Sequence, residues 1–405
     1  MSNRKLLCFI FSNYEEIKKK GVEDTYSFFL ENGYFDEVLF IFPFAKFSNN
    51  VYLKNESIHI FQSGWLPKHF SKINYKFLKY LFFFFFFPKI LVQIYKKIKL
   101  FNPDIIRSTD PYYLGIFGLL FSKILKKPFV VSVHSDYDLG DRLKGHSFRI
   151  FGSRKFAKKL ERYIFKKADK IFPNSEYKKN KIKMEYPELA SKIFTFLHPF
   201  DFDKVNHQTT SLIRQEFKIH KNKKILSFAG RLSPENFVFD LCKLSESLNK
   251  KNFKDYIILI FGDGELKEKL QILINQKNLK QYFILAGFQP REKVIQLRQE
   301  SFFSICFMGG MSLIETLACR CPAICYDIEW HSELVINNKT GILAKEHDIN
   351  FIVNSLLFYS NNPVELNKIS SQAYEHVYQK HNLKKITEIK SKLYSEVISI
   401  NDKKI

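Results

Sequence analysis

The sequence predicts an α/β protein of two doubly wound, Rossmann-like domains in tandem, on three observations. Its 405 residues exceed what one ordinary core holds, so two domains of about 200 residues are expected. Hydrophobic content of 45% beside 26% charged residues belongs to a folded globular chain. Short β-rich runs alternate with helical stretches through both halves, which argues for βαβ units and parallel sheets.

In the first half the strand candidates are KLLCFIF (5–11), EVLFIFP (37–43), SIHIFQ (57–62), DIIRST (104–109), FVVSVHS (129–135) and KIFPNS (170–175), with helices at 113–126 and 154–168. The start, MSNRKLLCFIFSNY, reads as a first strand and not a signal peptide: its apolar run covers only Leu6 to Phe11, and no small-residue cleavage site follows. Lys79, Pro88 and Lys89 interrupt Phe77 to Tyr95, leaving no unbroken apolar run near the roughly 20 residues a bilayer needs. The six consecutive Phe at 82–87 read as a buried or surface-inserted helix end.

A connection is expected within 199–222. The second half then repeats the rhythm with KILSFAG (224–230), YIILIFGDG (256–264), YFILAGF (282–288), FFSICFM (302–308) and CPAICYD (321–327), separated by helices at 238–250, 265–276, 291–299 and 312–319. The tail, 362–398, lacks a strand pattern and reads as two or three helices, the last amphipathic and free to pack back on the first domain. The expected domains are 1–200 and 201–375, with returning helices at 376–405.

Net charge is +23, which points to an anionic partner, yet only 11 of the 64 basic residues are Arg and a Lys-rich background accounts for part of the excess. Arginine this scarce and scattered, with no recognition motif, argues against nucleic acid. From Ser57 to Pro103 there are eight Lys and no acid, with Lys68, Lys72, Lys76 and Lys79 at helical spacing beside a Phe-rich face. That pattern fits a helix on an anionic membrane and equally a solvated Lys face over a core helix. The six cysteines form no C-x-x-C pair, and Cys319, Cys321 and Cys325 with His331 match no common zinc spacing. Buried free thiols in a reducing cytosol are expected, so the location is cytoplasmic, peripheral on the inner membrane face if the 57–103 segment docks.

The chemistry gathers at strand ends. In open α/β sheets ligands bind beyond the carboxyl ends of strands, and in the second half those ends read Gly230-Arg231, Gly262-Asp263-Gly264, Gly287 and Gly309-Gly310. Bare backbone amides and one guanidinium converging on one edge are what a diphosphate requires. In GGMSLIETLACRCPAICYD (309–327), Ser312 and Glu315 have the spacing of a capping box. The glycines alternatively open the helix N-terminus to a phosphate, with Met311 at its entrance and Glu315 holding a neutral group beside it.

These motifs resemble the GT-B-fold glycosyltransferases of family 4, retaining enzymes that use nucleotide-sugar donors. FAGRLSPEN, IFGDGELKEKL, FILAGF and MSLIETLACRCPAICYDIEWHSELVINNKTGILA are similar to the family's C-terminal-domain motifs. FNPDIIRSTDP, KKPFVVSVHSDYD and KADKIFPNSEYKKNKI match its N-domain pattern. The resemblance covers roughly 100–395 and implies two Rossmann-like domains facing a central cleft. It implies that Arg231 neutralises the leaving diphosphate, that Glu315 accepts hydrogen bonds from ribose hydroxyls, and that His134 faces the donor sugar across the cleft. Asp136 and Asp138 are acceptor-hydroxyl candidates. Two positions depart from the family: its first motif Glu falls on Phe307, and a diphosphate Lys falls on Asn236, so that one cation is missing or supplied from elsewhere, for instance by Lys243 or a lysine of the other domain.

The implied function is transfer of a sugar to a glycan or lipid-linked acceptor, in cell-surface polysaccharide or lipopolysaccharide synthesis. With retention, the departing phosphate can take the acceptor's proton, and closing domains exclude water. No cofactor and no obligatory metal are expected; DFD at 201–203 lies at the interdomain connection, the wrong place for a metal-binding D-x-D. A nucleotide-sugar isomerase or hydrolase of the same fold is an alternative, and a catalytically inactive binding partner is another.

Overall fold

A computed structural model describes residues 3–11, 14–19, 23–45, 48–64, 76–144, 153–206 and 212–402. The chain divides into two compact units. The first comprises 1–136, 148–197 and 384–405; the second comprises 137–147 and 198–383.

The first unit is built on β1 (Lys5–Phe9), β2 (Glu37–Phe42), β3 (Asn49–Leu53), β4 (Ile58–Gln62), β5 (Ile105–Ser108), β6 (Phe129–Val133) and β7 (Lys170–Pro173), in the order β3-β4-β2-β1-β5-β6-β7. All pairings are parallel except β3 with β4. Strands covered on both faces read as continuous apolar runs, which is why six of the seven stand out in the sequence. The edge strand β3 is exposed on alternate residues and its NNVYL carries no such run. Helices Lys76–Phe101, Tyr113–Leu125 and Arg154–Lys167 cover one face: Ile90 and Ile94, Leu114 and Phe117, Ile164 and Phe165 pack with Leu7, Ile106 and Val131 in a single core.

The helix Leu383–Asp402 covers the other face, where Leu393, Tyr394 and Val397 join Leu6, Phe35 and Phe172. The last helix therefore packs back on the first unit, as the amphipathic pattern predicts. It brings charge with it. Lys390 lies 3.3 Å from Glu31, and Arg107 donates to the Tyr394 hydroxyl at 2.9 Å and to Ser132 Oγ at 2.6 Å, all of them buried.

The second sheet orders β8 (Lys224–Ala229), β9 (Tyr256–Phe261), β10 (Phe283–Leu285), β11 (Phe303–Ile305), β12 (Ala323–Tyr326) and β13 (Gly341–Ala344) as β10-β9-β8-β11-β12-β13, all parallel. The chain runs outward through β8, β9 and β10, then returns to place β11 on the far side of β8. The order therefore reverses between β8 and β11, where such sheets open a crevice for ligands. The tail of this unit holds helices Ile349–Asn361 and Pro363–His381, the first lying ahead of the expected 362–398 range. DFD begins the short Asp203–Asn206 helix, with Asp201 accepting from the Asp203 amide at 3.2 Å. All six cysteines are free and buried. No helix among the described residues is long and apolar enough to cross a membrane.

His381 ends the Pro363–His381 helix in a buried position, its Nδ1–H donating to the His198 carbonyl at 2.8 Å. Burial lowers its pKa from 6.5 to about 4. The unfolded chain then takes up a proton near pH 6.5 that the folded ring refuses until about 4, so stability present above that window is lost as pH falls through it. Urea titrations are expected to lose about 3 kcal/mol between those limits. His381→Asn, which keeps a donor but cannot titrate, should flatten the window.

Candidate functional site

The reversal between β8 and β11 assembles the candidate site within the second unit. β8 ends at Ala229 and passes into Gly230-Arg231, while β11 leads through Phe307 to Gly309-Gly310 and the helix Met311–Ala318. Ser312 Oγ donates to the Ala229 carbonyl at 3.3 Å, tying the entrance of that helix to the end of β8. Arg231 is exposed, and its guanidinium has no acid or acceptor among the described residues. The Gly310, Met311 and Ser312 amides likewise meet no protein acceptor there, since the N-cap is Gly310 and no side chain caps the helix. An exposed arginine and three open amides thus lie at the ends of two neighbouring strands, β8 and β11.

The capping-box expectation is corrected. Ser312 Oγ accepts from Arg298 Nη2 at 2.6 Å, while Glu315 accepts from Arg291 Nε at 2.7 Å and from Arg298 Nη1. Both side chains turn to arginines and neither to the helix amides, which is what leaves those amides open. Arg298 is wholly buried and its Nε has no partner, so Glu315 compensates its charge. Burial pushes the Glu315 pKa up, but Arg298 and Arg291 outweigh it and hold the carboxyl below its usual value. Neither arginine stands out in the polar run REKVIQLRQE. The available signal was arginine itself, retained in a chain that otherwise uses lysine.

The glycines play different parts. A Cβ on Gly262 would lie 1.9 Å from the Gly230 carbonyl oxygen, and one on Gly264 2.4 Å from that of Leu232, so GDG exists to let two chain segments touch. The expectation that their amides reach a phosphate is corrected: Gly230 N–H donates to Phe261 at 3.0 Å, Gly262 N–H to Gly287 at 2.8 Å, and Gly264 N–H to Asp263 Oδ1 at 2.8 Å. Gly287 has φ +69 and supplies the carbonyl that Gly262 uses. Gly309 is also spoken for. The buried His331 ring packs against it, with Nδ1 2.8 Å from the Tyr326 carbonyl oxygen and Nε2 3.1 Å from the Gly309 nitrogen and 2.9 Å from the Gly309 carbonyl oxygen.

Asn236 folds the following turn, donating to the Arg231 carbonyl at 2.7 Å and to Ser233 Oγ at 3.3 Å. Lys243 pairs with Asp240 at 2.8 Å on the helix surface. Phe307 is buried and stacked on Tyr326, ring centroids 4.5 Å apart at 7°, so this position is core and presents no acceptor.

His134 and Asp136 follow β6 in the first unit. The His134 carbonyl accepts from Asn174 Nδ2 at 3.3 Å. The Asp136 carboxylate is buried, with Lys181 2.7 Å from both oxygens and the Tyr177 hydroxyl at 3.1 Å. These contacts tie the end of β6 to the Glu176–Glu185 helix within the first unit. Among the described residues no group of His, Cys, Asp and Glu could hold a metal ion.

Comparison with known proteins gives two family models: "Glycosyl transferases group 1" matches 210–376 and "Glycosyltransferase Family 4" matches 55–203. The poly(ribitol-phosphate) alpha-N-acetylglucosaminyltransferase of Staphylococcus aureus is 26% identical over 240 residues, 57% of this chain and 45% of that protein. The chain spans about half the length of the curated relatives it matches, from 45% to 60% for the first three. Among solved structures, sucrose-phosphate synthase from Thermosynechococcus elongatus has a TM-score of 0.77 at 12% identity, covering 98% of this chain and 100% of that one. The Anabaena protein HepE, in complex with UDP and glucose, has a TM-score of 0.71 at 14% identity, covering 97% and 100%. At such identities the structures establish a shared fold.

Proposed function

The chain belongs to the GT-B glycosyltransferases of family 4, and from that membership we propose that it transfers a sugar from a nucleoside-diphosphate donor to a hydroxyl of a glycan or lipid-linked acceptor. Retention at the anomeric carbon and a role in building cell-surface polysaccharide or lipopolysaccharide are part of the same proposal. The observation that carries it is the exposed, unpartnered Arg231 after β8 together with the open amides of Gly310, Met311 and Ser312 after the neighbouring strand β11. As the bond from the anomeric carbon to the diphosphate oxygen breaks, negative charge grows on the leaving nucleotide. A fixed guanidinium and helix N-terminus stabilise that charge without reorganising. The acceptor oxygen bonds to the same carbon, and its proton passes to the departing phosphate.

Glu315 completes the donor half. Its oxygens retain acceptor capacity beyond the two arginine N–H groups, enough for a ribose diol. A nucleoside diphosphate in complex with HepE, which shares the fold, supports this reading. With Phe307 in the core, sugar hydroxyls are recognised without a carboxylate at that position.

A thermal-shift screen of nucleoside diphosphates and nucleotide sugars tests the proposal. Wild type is expected to be stabilised by one nucleotide class, and Arg231→Ala to lose that shift while its own midpoint stays unchanged, because the side chain has no internal partner. Transfer is expected to fall roughly 10²- to 10³-fold. Indifference of the wild-type protein to every nucleotide overturns the reading.

A further inference from the structure

We propose that the outer face of the layer formed by helices Lys76–Phe101, Tyr113–Leu125 and Arg154–Lys167 docks on an anionic phospholipid bilayer. The inference concerns the first unit alone and does not rest on the donor site. The stripe expected from the sequence falls elsewhere: Lys68 and Lys72, and the side chains of Lys76 and Lys79, lie outside the described residues. All three helices bury their inner faces in one core, so their outer faces form one surface.

That surface is apolar and cationic at once. On Tyr113–Leu125, Ile116, Leu120 and Ile124 recur every fourth residue and are exposed, with Lys123 and Lys126 beside them. On Lys76–Phe101, Phe87 packs on Phe117 with ring centroids 6.1 Å apart, whereas Phe85 is 79% exposed. Val92 follows outward between Lys89 and Lys96. On Arg154–Lys167, Phe156 and Tyr163 are exposed among Lys155, Lys159 and Lys166.

Acid is sparse on this face: Glu185 and Glu188, which follow the third helix, pair with its Lys158 and Arg162 at 2.9 and 2.8 Å. The first two helices contain none, and Glu161 in the third is buried, accepting from Tyr112 at 2.6 Å and Tyr186 at 2.7 Å. Lys89, Lys96, Lys123, Lys126 and Lys159 pair with no acid among the described residues. A soluble polyanion would satisfy the ammonium groups and leave the aliphatic stripe in water. A bilayer takes both, with apolar side chains at the acyl boundary and lysines extending to the headgroup phosphates.

Co-sedimentation of the full-length protein with vesicles tests this, using phosphatidylcholine alone and phosphatidylcholine with about 30% phosphatidylglycerol. Wild type is expected to partition onto the anionic vesicles, with salt weakening the binding. Ile116→Ser/Leu120→Ser/Ile124→Ser and Lys89→Glu/Lys123→Glu/Lys126→Glu are each expected to cut partition by about tenfold or more at an unchanged circular-dichroism spectrum. Should the serine variant fail to fold, Leu120→Ser alone reads the same loss at smaller size. No partition by wild type overturns the proposal, as does partition that neither variant alters. Loss confined to the charge variant, with heparin displacing wild type from the vesicles, overturns it in favour of a soluble polyanion.

Discussion

Glu315→Ala is expected to lower the urea midpoint of the second unit and to abolish its response to nucleotides together. Arg298 is wholly buried, Glu315 is its charge partner, and a guanidinium cannot shed its proton to escape. Removing one member of a buried pair costs about 3–5 kcal/mol, much of it from the charge left behind. The two losses have separate causes, and Glu315→Ala with Arg298→Met separates them. Replacing the whole buried pair by apolar groups is close to neutral, so the midpoint should return towards wild type. Nucleotide stabilisation should not return, because no acid remains for the ribose. If the double variant recovers both, Glu315 serves only the fold and the donor reading loses its acid.

The second large effect is expected in the first unit. Glu31→Ala leaves Arg107 and Lys390 buried with no acid between them; the carboxylate is now 3.9 Å from Arg107 and 3.3 Å from Lys390. A loss of about 3–5 kcal/mol follows from the same argument. Lys390 softens it, since burial brings its pKa down from 10.5 to about 8, so shedding a proton costs this lysine little. Arg107 has no such exit, and its guanidinium is anchored by Ser132 and Tyr394. Glu31→Ala/Lys390→Met should therefore recover only part of the loss, and urea midpoints of the three proteins decide the matter.

The strand plan was readable because both sheets are parallel and buried, which turns each central strand into an apolar run. β3 escaped, being half-exposed and antiparallel at an edge. The helix Glu176–Glu185 escaped for another reason: EYKKNKIKME buries little beyond Lys178 and Ile182, so it lacks an apolar period. In the site, glycine spacing located the strand ends but could not say which amides remain available. Gly230, Gly262 and Gly309 lose theirs to Phe261, Gly287 and His331, partners distant in sequence. The arginines around Glu315 were hidden likewise, because a helix position says nothing about which buried acid it meets.

The return of the final helix to the first sheet sets an order on biosynthesis. Leu6, Val38 and Phe172 leave the ribosome long before Leu393, Tyr394 and Val397, which share their core. The second unit, closed by 383, has all its residues while the first still waits for its last helix. Although domains emerging first commonly fold first, here the earliest-made sheet keeps one greasy face and a buried-to-be arginine uncovered until the Leu383–Asp402 helix has been made. That interval is when a nascent chain of this design depends most on chaperones.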